Sequence, residues 1–73
     1  MKQLNKALGY ATMWALVTEH DLSAQAALDA EKAQNTEEAL AHWAAADAMC
    51  EYINAGIIEG VLPSWDESRE AGI

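Results

Sequence analysis

The 73-residue chain has no phenylalanine, one proline, one cysteine and four basic residues, and each shortage excludes something. Cys50 alone cannot form an internal disulfide, and a lone thiol fits a reducing compartment. Lys2, Lys6, Lys32 and Arg69 face twelve acidic residues, leaving a net charge of −8. Nucleic-acid phosphates are held by clustered Lys and Arg, so direct binding to DNA or RNA is not expected. Adsorption to an anionic membrane is disfavoured for the same reason. The longest nearly apolar stretch, Tyr10 to Val17 broken by Thr12, falls short of the ~20 residues that span a bilayer. The start Met1-Lys2-Gln3-Leu4-Asn5-Lys6 is followed by no long apolar leader, which sets the expectation of a cytoplasmic protein.

What remains is rich in small apolar residues. The hydrophobic share is 52%, but 16 of those residues are alanine. A chain of this length buries only about 60% of its unfolded surface. Small domains of this kind are usually completed by disulfides, a metal or another subunit. With disulfides excluded, a metal or a partner chain is left. A repeat array is excluded by length, since helical repeats of about 34 residues need about three copies.

Between Leu4 and Ala55 there is no proline, and Ala, Leu, Glu, Gln and Met dominate, which predicts helix throughout. Leu4, Leu8, Ala11 and Ala15 recur at helical spacing over roughly Leu4 to His20, with Tyr10, Trp14 and Val17 as a second stripe beside them. Together they make an apolar surface wider than one neighbour needs. Asp21-Leu22-Ser23 offers capping residues where a second helix, about Ala24 to Ala33, would begin, although a continuous helix through this point is also compatible. Thr36 is expected to cap a further helix, with Glu37 and Glu38 complementing its dipole. That helix should run to about Ala55, with Ala39, Leu40, Trp43, Ala46, Cys50, Ile53 and Ile57 on one face and Gly56 as its C-cap. Ile57, Ile58, Val61 and Leu62 are too apolar for a free linker. Ser64-Trp65-Asp66-Glu67 has the spacing of a capping box for one last short helix.

Candidate chemistry is sparse. His20, Asp21, His42, Asp47, Cys50 and Glu51 are the available ligand types, but they form no recognised metal-binding spacing. Glu38 and His42, four residues apart, suit an exposed helix pair as well as ligation. Cys50 has no histidine base within a turn and lies on an apolar stripe, so a buried, inert thiol is expected. Ser23, Ser64 and Ser68 read as capping residues. Gly56 and Gly60 follow a helix, whereas a phosphate loop precedes one. Trp14 and Trp43 read as core pieces. Trp65 divides evenly between core packing and a binding anchor.

The sequence therefore predicts one all-α domain over residues 1–73, with a helical body over 1–55 and a C-terminal segment over 56–73. The architecture is a helical hairpin or three-helix bundle with a short C-terminal helix, the first helix antiparallel to the one beginning at Thr36. A homodimer is expected, with Tyr10, Trp14, Val17 and Trp43 at its interface. No catalytic residue, metal or cofactor is assigned. The expected function is that of a small acidic protein-binding module that inhibits or modulates a larger, nucleic-acid-handling protein with a basic surface. A virus or mobile element would direct such a protein at a host enzyme. Glu37, Glu38, Asp47, Glu51 and Trp65 are the expected contacts, and the carboxylates either imitate nucleic-acid phosphates or only solubilise. The alternatives are a self-associating assembly subunit and a small metal-binding protein using His20 and His42.

Overall fold

The computed structural model describes residues 2–73, with side-chain surroundings from Lys6 onward. Helix α1 spans Lys2–Lys32, α2 spans Thr36–Ile58 and α3 spans Trp65–Glu70. No strand occurs among the described residues. Helices α1 and α2 pack side by side as a hairpin 48 Å long, close to the ~46 Å that a 31-residue helix reaches at 1.5 Å per residue.

A three-residue loop reverses the chain. The Asn35 amide donates to the Ala30 carbonyl at 2.8 Å and the Gln34 amide to the Glu31 carbonyl at 3.0 Å, the two bonds of a Schellman ending. Gln34 takes the left-handed position, φ 60°, where glycine is the usual occupant. Asn35, not Thr36, then caps α2. Its side-chain oxygen accepts from the Glu38 amide at 3.3 Å, while its own amide group donates to the Glu38 carboxylate at 2.8 Å.

Helix α1 does not break at Asp21-Leu22-Ser23. Its inward residues Gly9, Met13, Leu16, His20, Ser23, Ala27 and Ala30 are buried or half-buried, and their alternating spacing of four and three crosses the triplet without a phase change. The matching stripe on α2 is Ala39, His42, Ala46, Met49, Ile53 and Gly56. Paired stripes of this period keep two helices in contact along their length. Alanine supplies the buried positions toward the loop, namely Ala27, Ala30, Ala39 and Ala46. Bulk is concentrated at the open end, where Met13, Ile53 and Leu62 form the core and Leu16, Val17, Ile57 and Ile73 pack on it.

Leu62 comes from the tail. Helix α2 passes through Gly56 and ends at Ile58, so Gly56 is not its C-cap; Gly60, with φ 78°, makes the reversal. The amides of Val61 and Leu62 both donate to the Gly56 carbonyl, at 2.9 and 3.1 Å. A Cβ on Gly56 would lie 2.6 Å from Leu62 Cδ1, and one on Gly9 would lie 3.1 Å from the Val61 carbonyl oxygen. Both glycines are therefore sites of close approach by the crossing chain. The expected capping box is present: the Glu67 amide donates to Ser64 Oγ at 3.1 Å, and the Ser64 amide to the Glu67 carboxylate at 3.4 Å. Asp66 and Arg69 form an ion pair on the outer side of α3. Ser68 is buried and donates its hydroxyl to the Ser64 carbonyl at 2.8 Å.

Several sequence-based placements are corrected. Leu40 is 64% exposed and Trp14 59% exposed, so neither belongs to the core. Leu8, Ala11 and Ala15 face solvent; Leu4 lies outside the residues whose side chains are described. Cys50 is half-buried, and Ser23 sits inside α1 rather than at an end. The tail folds back as expected, but of its large apolar residues Leu62 alone is buried, with Ile58 85% exposed.

Candidate interaction surface

Two solvent-facing stripes run along the hairpin, one on each long helix. On α2, Leu40, Ala44, Asp47, Glu51, Asn54 and Ile58 recur at spacings of four and three and are all exposed. Apolar ends thus flank an acidic middle, and α2 contains no Lys or Arg. Glu37 lies within about 40° of Glu51 around the helix at 100° per residue. Glu38 lies about half a turn from Asp47, close to His42 Nε2 at 3.9 Å. The structure thus places Glu37, Asp47 and Glu51 on one side of α2 and Glu38 on its other flank.

On α1 the outward stripe is Leu8, Ala11, Ala15, Thr18 and Leu22, with Trp14 at its edge. Thr18 is half-exposed and the others are exposed. No member is charged. Tyr10 is half-buried, with the Lys6 ammonium 6.0 Å from its ring centre. Val17 is held against the core cluster. The Trp43 indole donates to the Glu31 carboxylate at 2.6 Å. Glu31 lies roughly 25 Å along α1 from Trp14 at 1.5 Å per residue, so Trp14 and Trp43 belong to different ends of the hairpin.

Trp65 lies 41% exposed, its indole donating to Asn54 Oδ1 at 3.2 Å. It lines a small hollow of about 200 Å³ with Val17, His20, Asp21, Cys50 and Ile53. Trp65 is therefore an exposed side chain at the edge of the hollow and not a member of the core cluster. A larger open cleft of about 960 Å³ lies where the tail crosses α1, bordered by Lys6, Gly9, Tyr10, Val61, Pro63 and Glu67.

The two histidines are each beside one carboxylate, His20 Nδ1 lying 3.2 Å from Asp21 Oδ1. Among the described residues no three His, Cys, Asp or Glu side chains converge as a metal would require. No helix among them is long and apolar enough to cross a membrane. The exposed apolar residues Leu22, Leu40 and Ile58 were not singled out as contacts from the sequence, although their regular spacing with Leu8 or with Asp47 and Glu51 was a readable signal. No protein-family model, curated protein or solved structure matches this chain.

Proposed function

We propose that this chain is a small acidic protein-binding module that works as a homodimer and inhibits or modulates a larger protein with a basic surface. The observation that carries the reading is the outer face of α2, where exposed Asp47 and Glu51 stand between exposed Leu40 and Ile58 on a helix without a basic residue. Apolar anchors give contact energy, and the carboxylates steer and orient a basic partner. Proteins that handle nucleic acids carry basic surfaces of this sort, and a row of helix carboxylates can occupy ground that phosphates would otherwise take. Glu37 extends the same side, and Trp65 offers a further aromatic contact from the tail.

The test is capture from an extract of the native host on immobilised protein, native against Asp47→Asn with Glu51→Gln. The reading expects a foreign protein that the native chain retains at low salt, loses at high salt and does not retain on the variant. Equal retention by both chains, or recovery of the chain itself alone, would refute it.

A further inference from the structure

We infer that the outward stripe of α1 is the seam of the homodimer, two copies packing α1 against α1 in antiparallel fashion about a two-fold axis beside Ala15. The inference deepens the reading above and rests on its dimeric state. Three observations carry it.

The first is area. The chain exposes 5322 Å², whereas a compact monomer of its 7.9 kDa mass exposes roughly 4,400 Å². Its radius of gyration, 14.3 Å, likewise exceeds the ~11 Å of a compact chain of this length. The surplus, roughly 900 Å², is what one partner contributes to an interface of standard size, about 800 Å².

The second is the pattern. Leu8, Ala11, Ala15, Thr18 and Leu22 keep the alternating spacing of a two-helix seam, and four of the five are exposed in the single hairpin. Its ends and centre, Leu8, Ala15 and Leu22, are evenly spaced seven residues apart. An antiparallel copy centred on Ala15 sets Leu8 against Leu22 at both ends and Ala15 against Ala15 at the centre, while Ala11 and Thr18 interleave, each one residue short of direct opposition. The small residues at the middle allow close approach, and the leucines close each end. Trp14 at the stripe's edge then meets its own counterpart beside the axis. A two-fold contact requires this self-complementarity.

The third is charge. From Ala7 to Thr18 the helix carries no charged residue, and before that only Lys2 and Lys6; Glu19, Asp21, Asp29, Glu31 and Lys32 all follow. Antiparallel packing lays the acidic half of each α1 beside the uncharged and basic half of the other. A parallel pair would set the acidic halves together, which a chain of charge −8 can least tolerate. The stripe on α2 has the same spacing but carries Asp47 and Glu51 at its middle, so it cannot make the same contact with itself.

Sedimentation of the full chain at micromolar concentration should show twice the 7.9 kDa chain mass. Ala15→Glu places a carboxylate on a site exposed in the hairpin, so helix content by circular dichroism should be retained while the mass falls to that of one chain. Orientation is read from two double variants. Leu8→Lys with Leu22→Glu should remain dimeric, because opposite charges meet across an antiparallel seam, whereas Leu8→Glu with Leu22→Glu should be monomeric. A native chain of single mass would overturn both the dimer and the seam. A native dimer that Ala15→Glu leaves intact would overturn the seam alone. Loss of both double variants would overturn the antiparallel orientation. If the native chain is monomeric and Ala15→Glu abolishes capture of the foreign protein, the stripe belongs to that partner and the seam is refuted.

Discussion

Replacing Gly56 by alanine tests how the tail is fastened to the hairpin. Alanine is preferred over glycine inside a helix by about 0.8–1.0 kcal/mol, so an isolated helix with the sequence of α2 would gain from the change. In the folded chain the new Cβ would stand 2.6 Å from Leu62 Cδ1 and 2.8 Å from its Cγ, distances that packed carbon atoms do not tolerate. Leu62 cannot simply slide aside, because its amide and that of Val61 are bonded to the Gly56 carbonyl. It must leave the Met13–Ile53 cluster, where it is 8% exposed, and burial of a leucine is worth about 1.5–3 kcal/mol. The net loss is about 1–2 kcal/mol once the helix gain is subtracted. In a domain of this size that lowers the melting temperature by about 4–15 °C. Thermal unfolding followed by circular dichroism measures it, and hydrogen exchange at Val61 and Leu62 should accelerate while mid-helix amides stay protected. A raised melting temperature with both amides still protected would refute the account of the crossing.

Gln34→Gly should stabilise the hairpin by about 0.5–1 kcal/mol, because glycine adopts the left-handed turn position without the Cβ penalty that glutamine carries; an unchanged or lower denaturant midpoint would contradict it. Trp65→Ala should cost about 1–2 kcal/mol through the lost indole bond and partial burial. The same variant should hasten labelling of Cys50, which lines the same hollow, and native melting with native thiol kinetics would refute both expectations.

The helical class, the boundary near Asn35 and Thr36, and the capping box at Ser64 were legible because they depend on local chemistry. Which face of each helix turns inward was not. Helix α1 carries two stripes of the same period, and a ranking by side-chain size favours Leu8 and Trp14 over Gly9 and Ala27. The hairpin takes the stripe that sets Met13 and Leu16 against Ile53 and Leu62 at the open end and Gly9, Ala27 and Ala30 where the tail and the other helix come close, a choice made by the neighbouring elements and not by side-chain size. The same logic turned Leu40 outward and Ala39 inward. The end of α2 was misplaced because Gly56 looks like a stop signal locally, whereas its function is to leave room for a leucine six residues later. Of the candidate surface, the carboxylates were legible by composition, but their division between two flanks and the apolar residues at the ends of the stripe needed the helix register.

The uneven filling of the hairpin decides how it would yield to a mechanical pull. Ile73 packs on the same cluster as Met13, Ile53 and Leu62, so the C-terminus and the early turns of α1 are joined at the bulky end. Tension applied between those two regions would load that cluster first and peel it open contact by contact, rather than shear α1 along α2 with all contacts sharing the force. Behind it the buried positions are Ala27, Ala30, Ala39 and Ala46, whose methyl groups each offer few atoms for dispersion, with half-buried His20, Ser23, His42 and Met49 between them. Once the bulky cluster ruptures the contacts left are individually smaller, and the Trp43–Glu31 hydrogen bond near the loop is the last tie between the helices to yield.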